Sequence, residues 1–188
     1  MNNKFFYEIT LLLVVAGAAF ASSIVAPCLP FIIKSFNIDN HFTYFIVSTY
    51  LFGYLSGQII HSFNAQINGY RFTLLSGFAT YVIGSFLQII TIKYGLFSLF
   101  LLSRFLCALG SSSGLICVFA MINTQTEDTR ETQNLISKAF ISLTLCSYLS
   151  ITAGSFVMEY LEWSFIFYII LAISVFKFTL IYYYCVFL

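Results

Sequence analysis

The residues with the most chemistry to offer lie in one apolar stretch, Leu101 to Ile122, LLSRFLCALGSSSGLICVFAMI. Arg104 sits a few turns inside it. An arginine near the centre of a membrane-spanning helix costs roughly 2.5–3.5 kcal/mol on insertion scales, so it must face protein or a water-filled cavity rather than lipid. There it would contact a substrate, a proton or a counter-ion, or else bond neighbouring carbonyls as a structural group. No Asp or Glu lies at mid-membrane depth in any apolar run to pair with it. The segment Gly110-Ser-Ser112-Ser-Gly114 also spells G-x-S-x-G, the pattern of a serine nucleophile. Such a serine needs a histidine base. The two histidines, His41 and His61, fall at the ends of an earlier apolar run, and none follows the serine. The five cysteines all lie in apolar segments without CxxC spacing, so they read as packing residues, not as metal or redox ligands. No metal site and no cofactor are expected.

The elements that hold these residues follow from composition. The chain is 60% hydrophobic and 8% charged, with mean hydropathy +0.94. A soluble domain carries about 25% charged residues, which excludes an ordinary globular protein. A net charge of +1 without a basic run argues against nucleic acid as a partner. Apolar runs of about 20 residues are the unit that crosses a bilayer. Six occur, at about 5–33, 42–62, 72–92, 96–122, 135–158 and 164–188. They are too long and too unalternating for barrel strands, so six transmembrane helices are predicted, in one domain covering 1–188. The first run carries Lys4 and AGAAFASS, features of a signal peptide, but it continues to Ile33 and is read as a retained span. Asn123 to Asn134 forms the one clearly hydrophilic loop and divides the chain into three helices plus three, as an inverted repeat would.

Loop charges set orientation. With the amino end inside, Lys4, Arg71, Arg130 and Lys138 are cytoplasmic, against Lys34 and Lys93 outside. Both termini are therefore expected in the cytoplasm. Small residues mark close helix packing: Gly53 and Gly57 in the second span, Gly110 and Gly114 in the fourth. Ser23 and Ser112 are expected near the Arg104 cavity. Gln58 and Gln88 are expected to hydrogen-bond across helices. Lys177 lies about 21 Å into the last helix, from which it is expected to snorkel to the inner face.

The motifs then resemble the amino-terminal half of a major facilitator superfamily transporter, and within it bacterial drug/proton antiporters of the bicyclomycin- and chloramphenicol-resistance type. Ala26-Pro27-Cys28-Leu29-Pro30-Phe31-Ile32 is similar to that type's L-P-x-L-P-x-I. Tyr50-Leu-Phe-Gly53-Tyr-Leu-Ser-Gly57-Gln58 is similar to F-x-x-G-x-x-x-G-Q. Leu102 to Gly110 resembles L-x-R-x-x-Q-G-x-G, and Glu162-Trp163-Ser-Phe-Ile-Phe167 resembles G-W-R-x-I-F. The resemblance implies a multi-pass protein of the bacterial inner membrane exporting small amphipathic or cationic compounds. Its pathway would involve Arg104, Ser23, Ser112 and Gln58.

Several positions depart from the pattern. The family's cytoplasmic gating cluster, G-x-x-x-D-R-x-G-R-R, is reduced here to Gly69 and Arg71. Ser23 stands where this antiporter type often has an acid. The glycine- and proline-rich signature of the fifth span is reduced to Gly154. The family normally has twelve spans, so a carrier is expected to need a second six-helix half or a self-dimer in the bilayer. Two other readings are a non-transporting membrane fragment or helper subunit, and an intramembrane serine protease, since six helices with a serine in the fourth resemble the rhomboid kind. The second lacks its histidine.

Overall fold

The computed structural model describes residues 2–39, 41–125 and 129–187. They form helices joined by short turns: α1 (Asn2–Ser23), a 3₁₀ turn (Ala26–Cys28), α2 (Leu29–Phe36), α3 (Phe42–Tyr94), α4 (Phe97–Gln125), α5 (Thr129–Tyr160) and α6 (Phe165–Phe187). Five helical segments among the described residues are long and apolar enough to cross a membrane, with α1 and α2 counted together across the 3₁₀ turn.

The predicted first span is broken rather than continuous. Pro27 and Pro30 each fall in the first turn of a new helical piece. There a missing N–H costs nothing, whereas in mid-helix it would leave a carbonyl without its donor. α2 ends at Asn37, which takes the left-handed conformation (φ 53°). Asn37 N–H donates to the Lys34 carbonyl (3.3 Å) and Ile38 N–H to the Ile33 carbonyl (3.2 Å). Gly95 (φ 67°) ends α3 in the same way, with Leu96 N–H donating to the Thr91 carbonyl (3.0 Å). Both are Schellman closures, which satisfy carbonyls that a helix end leaves bare.

α3 holds the largest departure from expectation. Its 53 residues cover what the hydropathy pattern divides into two spans and a loop, and the only non-helical residue inside it is Gly69, at φ 81° and ψ 164°. A straight helix of that length would run ~80 Å, well over twice the hydrocarbon core. It is not straight. Gly53 packs on Phe105 and Gly57 on Leu109 of α4, so the amino arm of α3 runs parallel to α4. Gly77 packs on Gly110 and Ser113, whereas Gly84 packs on Cys107, so the carboxyl arm runs the opposite way. The chain therefore reverses at one glycine, in a backbone region that side chains rarely enter. Thr73 steadies the turn by donating its hydroxyl to the Gly69 carbonyl (2.9 Å).

A second parallel pair forms between α1 and α5. Glu8 meets Lys138 (3.3 Å), Ser142 Oγ approaches the Leu12 carbonyl (3.5 Å), and Gly154 packs against the Ile24 carbonyl. The offset is 130 residues at all three points, so the two helices keep one register along their length. The predicted loop 123–134 is helical at both ends, and its residues 126–128 lie outside the described residues. α4 runs to Gln125 and α5 starts at Thr129, because polarity there marks departure from the bilayer, not the end of the helix. Large apolar side chains cover the outside, among them Leu55, Ile59 and Ile67 on the amino arm of α3 and Leu145 and Leu149 on α5. The interior holds Phe78, Tyr81, Phe100, Phe167 and Ile170 together with a set of polar groups.

Candidate functional site

Arg104 lies on the α4 face that meets the amino arm of α3, only 3% exposed. Its guanidinium carbon stands 4.5 Å from the ring centroid of Tyr50. A desolvated cation–π contact is worth about 2 kcal/mol, which falls short of the cost of holding the charge in the membrane. Nε and Nη1 have no hydrogen-bond partner among the described residues. The guanidinium borders a cavity of about 120 Å³, walled by Ser22, Val25, Ala26 and Leu29 from the first span and by Val47, Tyr50 and Leu51 from α3. An arginine in this position supplies fixed positive charge to whatever enters.

The structure separates the expected pathway residues. Ser22, not Ser23, lines the cavity, and its hydroxyl donates to the Ala19 carbonyl (2.9 Å). Ser23 is half-buried one position further on. Ser112 lies a further two turns along α4, fully buried against Gly57, and its hydroxyl donates to the Leu109 carbonyl (2.7 Å). Its neighbour Ser111 is the serine tied to the Arg104 site, because its Oγ lies 3.4 Å from the Tyr50 hydroxyl. Gln58 is half-buried beside Tyr54 of its own helix. Gln88 is buried beside Cys107, with neither amide atom in a hydrogen bond of ordinary geometry among the described residues. Gly69 forms the turn described above and Arg71 beside it is exposed.

The packing glycines divide among three helices. A Cβ on Gly53, Gly57 or Gly154 would stand 2.6 Å from a carbonyl oxygen of the facing helix: that of Phe105, Leu109 or Ile24. Gly110 faces the carboxyl arm of α3, where a Cβ would meet Tyr81 N at 2.3 Å, whereas Gly114 faces Val14 of α1. Small residues thus seat α4 against three partners, and that places Arg104 where α1, α3 and α4 converge.

Three groups have roles that sequence reasoning missed. Tyr50 shares a face with Gly53 and Gly57 at helical spacing, a signal that could have aimed it at α4. His61 is buried, and its Nε2 lies 3.0 Å from the Leu109 carbonyl, which also accepts from Ser112. Ser112 donates to the Leu109 carbonyl and not to the ring, and His61 Nδ1, the nitrogen left to act as a base, has no hydrogen-bond partner among the described residues, so the two form no nucleophile–base pair in this arrangement. Lys177 does not snorkel. It is 7% exposed, with Nζ lying in the space a Cβ on Gly17 would fill and without a hydrogen-bond partner among the described residues. The bare α1 backbone at Gly17 leaves a niche that the side chain enters. Among the described residues no three metal-ligating side chains cluster.

Comparison with known proteins gives this geometry its family. No curated protein matches the chain. Among solved structures, the proton:xylose symporter XylE of the major facilitator superfamily, bound to 6-bromo-6-deoxy-D-glucose, superposes with a TM-score of 0.77 over 97% of this chain, at 13% identity. The likeness is one of fold, and the chain spans 45% of the length of that transporter. The sequence model of the Major Facilitator Superfamily matches residues 11–186, nearly the whole chain. This multi-pass membrane chain belongs to the major facilitator superfamily of secondary transporters.

Proposed function

We propose that the chain forms one six-span half of a proton-coupled carrier of the drug-antiporter type, with Arg104 at the half-site it contributes to the transport pathway. The observation that carries this reading is the buried, incompletely bonded guanidinium at the wall of a cavity between α1, α3 and α4. An ion kept in hydrocarbon at such a cost marks a pathway by default. Counting the two arms of α3 separately gives six spans. Exchanging the first three with the last three maps the parallel pair of spans one and five onto the parallel pair of spans four and two, as a 3+3 inverted repeat requires. Both termini then face the cytoplasm of a bacterial cell, with Gly69 and Arg71 in the inner turn.

Alternating access in this fold rocks one bundle against another around a shared site. The carrier is therefore completed by a second half or a second copy. The catalytic reading has no support in the placement of His61 and Ser112. The test is to reconstitute the purified chain in liposomes, impose a proton gradient and follow a lipophilic cationic dye and a lipophilic anionic dye in parallel. Gradient-dependent movement above empty liposomes, abolished by Arg104→Leu, supports the carrier. Movement that survives Arg104→Leu makes the arginine structural.

A further inference from the structure

We propose that the Arg104 cavity binds a small amphipathic anion, a carboxylate-like head on an apolar body; this rests on the reading of that cavity as part of the transport pathway. The motif resemblance alone points to small amphipathic or cationic compounds. The charge inside the bundle points the other way. The two charged side chains buried among the described residues are Arg104 and Lys177, both cations. The carboxylates described, Glu8, Asp39, Glu131, Glu159 and Glu162, are all exposed or only partly buried. A cation entering the cavity would meet a guanidinium with no acid among the described residues to offset it, whereas an anion would meet unopposed positive charge on a side chain whose Nε and Nη1 are buried without a hydrogen-bond partner.

Shape narrows the ligand further. Apart from Arg104 and Ser22, the wall is largely apolar, with Val25, Leu29, Val47 and Leu51 facing the space. Ser22 spends its proton on the Ala19 carbonyl and offers only an acceptor. At about 120 Å³ the cavity is well below the ~300–1,000 Å³ of pockets that enclose drug-sized ligands. It suits a single ring or short chain carrying one negative group, or the headed end of something longer. Arginine presents planar N–H donors matched to a carboxylate or phosphate, and the Tyr50 ring packs against it at 4.5 Å.

The test compares near-isosteric probes, radiolabelled benzoate and benzylammonium, in equilibrium dialysis against the full chain in phosphatidylcholine nanodiscs. Charge-assisted bonding predicts benzoate binding roughly tenfold or more tighter than benzylammonium. Arg104→Gln should remove that preference and Arg104→Lys should keep part of it. Val47→Phe, which fills the cavity and leaves the charge, should abolish benzoate binding even if the arginine variants do not fold. Adding phosphatidylglycerol separates the sources of anion: competition lost in Arg104→Gln identifies a lipid headgroup as one natural occupant and still supports an anion site. Equal binding of the probes, a preference for benzylammonium, or no saturable benzoate binding overturns the proposal. The carrier reading fails separately, by dye movement that ignores Arg104.

Discussion

Gly57→Ala places one methyl group in the seam between the amino arm of α3 and α4, and the structure allows its effect to be worked out. The new Cβ would lie 2.6 Å from the Leu109 carbonyl oxygen and 2.9 Å from Leu109 Cα, both backbone atoms that cannot swing aside. Carbon–oxygen contacts between helices settle at about 3.3–3.6 Å, so the two helices must part by roughly 0.7–1 Å. Overpacking of this kind costs about 1–3 kcal/mol. The bond from His61 to the Leu109 carbonyl stretches with it, adding about 1 kcal/mol. Gly114→Ala provides the contrast on the same helix. There the Cβ first meets the Val14 methyl at 3.0 Å and the Val14 carbonyl at 3.2 Å, so a shift of a few tenths of an ångström relieves it. Reversible unfolding in mixed micelles, followed by circular dichroism at 222 nm, should rank Gly57→Ala as clearly more destabilising than Gly114→Ala. A Gly57→Ala protein within 0.5 kcal/mol of wild type, or the reverse ranking, would refute the packing argument.

Other perturbations probe other parts of the bundle. Gly69→Ala meets no neighbour within 4 Å but must adopt φ 81° and ψ 164°, a region essentially reserved for glycine, so it should lose about 1–3 kcal/mol, and Gly69→Asn about as much, because asparagine tolerates positive φ only near the left-handed helical region; equal stability of all three would deny the turn. Lys177→Met keeps the stem and removes a buried ammonium with no partner among the described residues, so the unfolding midpoint should rise; a fall would mean that the charge is satisfied. In a cysteine-free background, Leu12→Cys with Ser142→Cys should cross-link under mild oxidation, as the parallel register of α1 and α5 demands. Asp39→Cys and Asn123→Cys should react with an impermeant maleimide from opposite sides of the membrane; labelling of both from outside rejects the orientation.

What the sequence makes legible is whatever hydrophobicity and residue size control. The apolar runs mark where helices cross, and Arg104 reads as interior because lipid cannot hold it. Gly53, Gly57 and Gly154 read as contact points because only the smallest residue lets carbonyl and Cα approach that closely. Boundaries were less legible. Hydropathy reports the thickness of the bilayer, so it placed loops at 63–71 and 123–134, where every described residue but Gly69 is helical. The break at Pro27 follows from ring chemistry but is hidden inside an unbroken apolar run. Partner identities were not legible at all. Whether Ser22 or Ser23 reaches the cavity, or Ser111 or Ser112 reaches Tyr50, depends on a rotation of about 100° per residue. Helix packing settles that rotation, and local composition does not. Lys177 has the same cause: snorkelling is the default for a lone lysine, and only the niche at Gly17 on a helix 160 residues away makes burial available.

The most direct measurement of the central claim, that Arg104 opens on a solvated pathway and not on lipid or dry protein, is the reactivity of cysteines placed around it. Val47→Cys on the cavity wall, Ile46→Cys in the buried seam and Ile59→Cys on the apolar outer face lie on one helix arm. Each is made in a cysteine-free chain and treated in membranes with a charged, water-soluble methanethiosulfonate. Methanethiosulfonates attack thiolates, which form only where water reaches. The account predicts rapid modification at 47, with little at 46 or 59. Equal protection of all three would contradict it, leaving Arg104 a structural residue in a bundle without a pathway.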